Sequence, residues 1–500
     1  MTVEEPSVEA ARDPLGDPPL GARALRGSLW TLLRYGVEYV LRFGSSLVLT
    51  RLLFPEAFGL MALVNAFMMG LQLFSDLGIT ASVIQSPRGD RPELLNTAWT
   101  LQVLRGALLW SIAGLLSLVI AGVWGQEELR LLIPAAALTV LIRGFDSMSL
   151  ARLQRQLQLG TLTAIEIGSR VVAVALMIGW ALLHPTVWVL VAGGVAGAAV
   201  RMSLSHTVLR SHRHRFQWDR EAIAQLVGFG KWIFVSTALT FLASQTDRFI
   251  FGRLLPLSDL GVYSIALLFA TLPTQVLWSI GNLVLFPAFS RRLRSREASQ
   301  EIYERAQRPV LFLGSLAVAF LAASGPDLIG TLYDPRYAGA GWMLQVLAFG
   351  SWLQILQTTS GTALLALGDP RQLALGNALK FAGMLALLPA GFVAFGVGGG
   401  IAGFAASELF RYGTFVAGMR KHGLPALRPD LLPSALTLGA ALAGLSAPRA
   451  LGLEEASAAV RLAAAACGVL AVWTPAAALG LRADLARLVT GLRARGTRPR

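Results

Sequence analysis

The feature that most restricts this chain is a succession of long apolar runs. Fourteen of them lie at approximately 28–50, 57–79, 96–124, 129–150, 160–183, 186–209, 226–251, 260–286, 309–331, 341–367, 372–396, 398–419, 431–451 and 458–480. A helix needs roughly 20 mostly apolar residues to cross a hydrocarbon core of about 30 Å. Backbone groups in lipid must also be paired inside their own segment. The runs therefore predict transmembrane helices, and the short alternating strands of a β-barrel are absent. The expected fold is all-α, a polytopic membrane protein with about 14 transmembrane helices. Twelve is the alternative count, and the breaks near 396–398 and 451–458 are the softest.

Composition agrees. Of 500 residues, 54% are apolar and 14% charged, with a mean hydropathy of +0.59. Soluble domains carry about 25% charged residues, so a soluble enzyme, a disordered chain and a fibre are all excluded. No connection between runs exceeds about 20 residues, too few for a catalytic domain. No Ser/His/Asp constellation and no DxD-type metal motif stands out, so an enzyme is not expected. Cys467 is the single cysteine, which permits neither a disulfide nor a thiolate metal site. His206, His212 and His214 lie in a basic loop without carboxylate support. No metal and no cofactor is expected.

The formal net charge is +14. Twenty-seven Lys and Arg fall in the N-terminal tail, the even-numbered connections and the C-terminus, against about six in the odd-numbered connections. The positive-inside rule then places both termini in the cytoplasm. The basic runs read as topology determinants that can touch anionic headgroups, not as a nucleic-acid surface. Residues 1–26 hold Glu4, Glu5, Glu9, Asp13 and Asp17 among four prolines, the composition of a disordered tail. They lack the basic start and cleavage site of a signal peptide, so the first run is expected to be an uncleaved anchor.

An internal repeat appears at a shift of 202 residues. Trp30 falls on Trp232, Arg51-Leu52-Leu53 on Arg253-Leu254-Leu255, Gly59 on Gly261 and Phe67 on Phe269. Six spans separate the two copies, so they share one orientation. Parallel repeats of this kind build transporters with the substrate site between lobes. The expected layout is a disordered cytoplasmic tail at 1–26, an N-lobe at 27–210 and a basic cytoplasmic linker at 211–225. A C-lobe at 226–420, two further helices at 421–480 and a basic cytoplasmic tail at 481–500 follow.

The segment TRLLFPEAFGLMALVNAFMMGLQLFSDLGITASVIQ, from Thr50 to Gln85, resembles the opening of bacterial polysaccharide flippases of the multidrug/oligosaccharidyl-lipid/polysaccharide (MOP) superfamily. The matching positions are Arg51, Pro55, Phe58, Gly59, Asp76, Gly78 and Gln85. TDRFIFGRLLPLSDLGVYSIALLFATLPTQV and the later LFPAFS are similar to the family's seventh and eighth spans, through Asp247, Gly261, Tyr263, Pro273, Pro287 and Ser290. The subgroup it resembles is the lipopolysaccharide and exopolysaccharide (colanic-acid-exporter-like) one. The resemblance implies a flippase that carries a polyprenyl-pyrophosphate-linked oligosaccharide from the cytoplasmic to the periplasmic leaflet of the bacterial inner membrane. It implies alternating access and a cationic central cavity. An ion-coupled multidrug antiporter and a peptidoglycan-precursor flippase of the same superfamily are the alternatives. Deep Arg outnumber deep acids, which favours an anionic cargo.

Intramembrane ionisable groups cost about 2.5–3.5 kcal/mol each and tend to face a cavity or a partner. Arg34, Glu38 and Arg42 follow one another at i, i+4, i+8, on one face rising about 12 Å. Glu38 is placed to pair with either arginine, leaving a positive stripe suited to pyrophosphate, which guanidinium binds bidentately. Asn65 and Gln72 share a face, for sugar hydroxyls or for a helix–helix bond. Asp76 reads as a helix-end residue. Arg105 is a lining candidate, and Arg143 with Asp146 and Glu166 with Arg170 read as structural pairs within their helices. Asp247 is expected either to couple transport to a proton or sodium gradient or to neutralise Arg248 or a neighbouring Arg. Arg248, Lys380, and Glu408 with Arg411 complete the lining candidates. Pro273 and Pro287 are positioned to kink span eight.

Overall fold

The computed structural model describes residues 20–74, 79–86, 90–156, 158–208, 214–219, 238–281, 289, 296–424 and 427–496. No strand occurs among them. The helices in the first part are α1 (Leu20–Leu52), α2 (Pro55–Phe74), α3 (Ile79–Gln85), α4 (Pro92–Trp124), α5 (Leu129–Gly144), α6 (Ser149–Arg155), α7 (Leu159–Leu183) and α8 (Trp188–Thr207). The second part holds α9 (238–254), α10 (Leu257–Ile280), α11 (Arg296–Leu332), α12 (Ala340–Ala366), α13 (Pro370–Lys421), α14 (Arg428–Ala450) and α15 (Ala458–Gly496).

Nine helices among the described residues are long and apolar enough to cross a membrane, and α5 with α6, bent by 67°, makes a tenth. Four more helical stretches occupy places read as spans: α1, α9, α12 and the second leg of α13. Local chemistry sets the boundaries. Prolines open α2, α4 and α13, where the missing N–H costs nothing. Gly125, at φ 66°, closes α4 with its N–H on the Ala121 carbonyl. The α11 helix starts at Arg296, several turns before the apolar run at 309. The chain also runs helically through Pro273; Pro287 lies outside the described residues.

The soft break at 396–398 is real. Within α13, Phe395 and Gly396 leave helical geometry, Gly396 at φ 64°, a conformation glycine adopts without strain. The two legs fold back tightly. A Cβ on Gly391 would strike the Gly399 carbonyl, and one on Gly403 the Leu387 carbonyl.

Helix contacts fall into two groups. In the first, α1 packs on α7, α7 on α8, α8 on α5, and α5 on α4. In the second, α12 packs on α10, α11 and α13, and α14 and α15 pack on each other and on α11. The principal bridge is α2 against α10, and it carries the repeat in its geometry. Gly59 sits against the carbonyl of Leu257, while Gly261 sits against that of Pro55. Residues 55 and 257, like 59 and 261, are 202 apart, so the contact is its own image, as at a two-fold axis. The pattern extends inward. Phe43 of α1 meets Phe269 of α10 with ring centroids 5.1 Å apart. The repeat partner of residue 43, Gln245 of α9, donates to Met69 Sδ of α2 at 3.0 Å.

Bridging contacts gather toward the Pro55 end. Arg336 donates to the carbonyls of Thr50 and Arg51 at 3.4 and 3.3 Å, and Ser46 bonds Tyr333 at 3.2 Å. Trp124 donates to the Phe249 carbonyl at 3.3 Å. The contact between Gly70 and the Phe241 ring lies about 20 Å along the helices from that end, at 1.5 Å per residue.

Candidate functional site

The site is built on the face of α1 that meets α7. Both helices run the same way, and their charged residues meet rung by rung. Arg34 Nη1 donates to Glu166 Oε2 at 2.5 Å, and Arg170 Nη2 to Glu38 Oε1 at 3.1 Å. The same offset carries Arg42 to Val174, so the third rung has no acid. These pairings correct two expectations. Glu38 pairs across to α7, not along its own helix, and Glu166 pairs with Arg34, not Arg170. An ion pair along one helix is worth only about 0.2–0.5 kcal/mol, so a partner presented by the packed neighbouring helix displaces it.

Beside the ladder lies a cavity of about 870 Å³, lined among others by Arg34, Gln72, Arg105, Arg143, Asp146 and Arg201. A second space of about 360 Å³ adjoins it, sharing Arg34, Arg143, Glu166 and Arg201 and adding Glu38 and Arg170. Five arginines thus face three carboxylates. Arg105 Nη2 donates to the Gln72 carbonyl at 2.9 Å, which ties α4 to α2. Asp146 is buried and bonded to Arg201, not to Arg143 as its i, i+3 spacing suggested. Its Oδ1 has no hydrogen-bond partner among the described residues. The break between α5 and α6 turns Asp146 toward α8 and leaves Arg143 facing the cavity.

Arg42 is exposed, and within electrostatic reach of it stand Arg170 of α7, Arg248 of α9 and Glu38. Neither Arg42 nor Arg143 makes an ion pair among the described residues. Arg248 itself donates to Gln245. Cations from both helix groups therefore converge where the ladder runs out of acids.

Other expected residues lie elsewhere. Asn65 and Gln72 are both exposed on α2, but only Gln72 lines the cavity. Lys380 is 4% exposed and sealed in the second group. Its Nζ lies 2.6 Å from Glu408 Oε1, whose other oxygen is 2.9 Å from Arg411 Nη2. Gln354 donates to Glu408 as well, at 2.9 Å. Lys380 and Glu408 hold three helical stretches together, α12 and the two legs of α13, and do not line the cavity. Asp247 is fully buried, and its Oδ2 accepts from Tyr263 at 2.6 Å instead of pairing with Arg248. Its Oδ1 has no hydrogen-bond partner among the described residues. His214 accepts at Nε2 from the Met148 N–H at 3.2 Å and stacks on Trp99, and His206 bonds the Phe145 carbonyl at 2.8 Å. No metal-binding group of His, Cys, Asp and Glu occurs among the described residues. Asp76, His212, Trp232 and Ser290 lie outside the described residues.

With the geometry in place, comparison with known proteins decides the family. The family profile described as "Polysaccharide biosynthesis protein" matches residues 48–340. The chain belongs to this polysaccharide biosynthesis protein family. The teichuronic acid biosynthesis protein TuaB of Bacillus subtilis (strain 168) is 26% identical over 299 residues, covering 59% of this chain and 62% of TuaB. The match thus spans less than two thirds of that relative. The lipopolysaccharide biosynthesis protein WzxC of Escherichia coli (strain K12) is 22% identical over 353 residues, 69% of this chain and 70% of WzxC. Among solved structures, the lipid II flippase MurJ in an inward closed conformation has a TM-score of 0.72 at 10% identity, covering 92% of this chain and all of that one. A multidrug resistance MATE family transporter of the MOP superfamily, facing inward, has a TM-score of 0.56 at 12% identity, covering 77% and 94%. At such identities the likeness is one of fold. Family and fold together make this polysaccharide biosynthesis protein a multi-span membrane protein.

The sequence reading of this polysaccharide biosynthesis protein passed over Arg201. Its signal was present, as the single Lys or Arg inside the apolar run 186–209.

Proposed function

We propose that this protein flips a polyprenyl-pyrophosphate-linked oligosaccharide from the cytoplasmic to the periplasmic leaflet of the bacterial inner membrane. The observation that supports this most is that Arg170 and Arg248 both act on Arg42, with Glu38 the carboxylate alongside. At an effective dielectric of about 20, two unit charges 4 Å apart repel by about 4 kcal/mol. A cluster of this kind is relieved by an anion, and a pyrophosphate presents charge and acceptors to several guanidinium groups at once. The cavity beside it takes the first sugars, with Gln72, Arg105 and Asp146 at hand for hydroxyl groups.

In this reading the lobes are 27–210 and 226–420, both termini are cytoplasmic, and the Pro55 end is periplasmic. Most contacts between the lobes gather at that end, and Gly70 against Phe241 is a deeper one that must part, so the headgroup enters from the cytoplasmic side and leaves after the contacts pass to the other end. Asp247, with one oxygen held by Tyr263, is the proposed proton or sodium site that couples the cycle to a gradient.

The test is translocation of a fluorescent polyprenyl-pyrophosphate oligosaccharide in vesicles holding the purified protein. Wild type should expose the glycan on the opposite leaflet, and Arg42→Glu should insert normally yet abolish transfer. Full transfer by Arg42→Glu would refute the cationic track.

A further inference from the structure

We infer that Glu38 and Glu166 are internal competitors for the ligand's phosphates, so that pairing between α1 and α7 and binding of a diphosphate exclude one another. This rests on the proposed function above. Arg34 and Arg170 are already occupied, each by a carboxylate from the facing helix. Both pairs are open enough to exchange partners without unpacking the core. Relative side-chain exposures are 27% and 26% for Arg34 and Glu166, and 50% and 44% for Arg170 and Glu38. Both pairs border the same cavity as Arg143 and Arg201.

The arrangement answers a transport problem. A site of several unpaired arginines would hold a diphosphate too firmly to let it go, because charge-assisted bidentate bonds are among the strongest a protein makes. Carboxylates fixed one turn apart, in register with the arginines, supply replacement partners at no search cost. The entering diphosphate settles first on Arg143, which lines both spaces and has no ion pair among the described residues, and then takes Arg34 and Arg170 from Glu166 and Glu38. Departure returns each arginine to its carboxylate. Binding therefore loosens α1 from α7, and release clasps them again. The missing acid opposite Arg42 gives the exchange its direction, with an open cation next to two exchangeable ones. Glu38 and Glu166 are positioning residues in this scheme, acting through the arginines.

The experiment uses the full-length protein in detergent, with geranyl pyrophosphate and geranyl phosphate as probes, beside the vesicle transfer assay. Glu38→Gln with Glu166→Gln should tighten geranyl pyrophosphate binding at least about tenfold, equivalent to about 1.4 kcal/mol, and slow transfer. Geranyl phosphate, with fewer charges to place, should gain less. A structural role alone would weaken both binding and transfer. Should the double variant not fold, Glu166→Gln alone is read for the same tightening. If wild type binds pyrophosphate but the glutamine variants bind it no tighter, or bind it tighter without slowing transfer, the competitor inference falls and the flippase reading stands. If wild type binds neither probe, the flippase reading itself falls.

Discussion

Gly59→Ala tests the joint between the two helix groups. The new methyl would sit against the Leu257 carbonyl and 3.3 Å from the Gly261 nitrogen. Both neighbours are backbone and cannot swing aside, so α2 and α10 must separate. Adding a methyl to a well-packed contact costs about 1–3 kcal/mol, and about 2 kcal/mol changes an equilibrium by roughly 30-fold. The cost falls only on the state in which the Pro55 ends touch, so the population moves toward the state in which they part. Gly261→Ala meets the Pro55 carbonyl and should act alike, and the pair of substitutions should be less than additive because they share one contact. Gly114→Ala, with nothing within 4 Å of the added atom, is the control. Spin labels at the exposed, repeat-related positions 51 and 253, in a Cys467→Ser background, report the separation. The expected result is a longer distance for Gly59→Ala and Gly261→Ala, and no change for Gly114→Ala. An unchanged distance distribution in Gly59→Ala would refute the argument that this contact closes the Pro55 end.

Further outcomes follow from other sites. Asp247→Asn should make transfer insensitive to an imposed proton or sodium gradient; an unaltered response to both would remove its coupling role. Glu408→Gln leaves Lys380 and Arg411 without their carboxylate, which for a buried pair costs about 3–5 kcal/mol. Thermal unfolding in detergent should show that loss, and Lys380→Met with Glu408→Leu should restore much of it. Hydrogen bonds from Lys421 and His422 hold the Asp369 carboxyl below the ordinary carboxylate range. Its stabilisation is therefore present above the unfolded-state value near 4 and is lost as pH falls through the lower folded value. Asp369→Asn should melt earlier than wild type at pH 7, and the gap should narrow as pH falls below about 4; a gap that does not narrow with acidification would contradict the assignment.

The spans were legible in the sequence because lipid imposes one rule on every segment: length and apolarity, with the backbone paired internally. Even the break at 396 showed, since a glycine stands where the helix must reverse. The repeat was legible from Arg51, Gly59 and their images at 253 and 261. The cationic character of the site was legible from Arg34, Arg42 and Arg105, whose presence in apolar runs demands a cavity or a partner.

Which partner was another matter. Spacing along one helix offered Glu38 to Arg34, Arg143 to Asp146 and Glu166 to Arg170, and the fold chose a different partner each time. The choice belongs to tertiary structure because an ion pair in a low-dielectric interior is decided by ångströms, and those are set by which helices lie side by side. The sequence by itself determined a bundle of membrane helices with arginines that must be satisfied. Only the packing of α1 on α7, and the approach of α9, decided which arginines carboxylates satisfy and which are left without one.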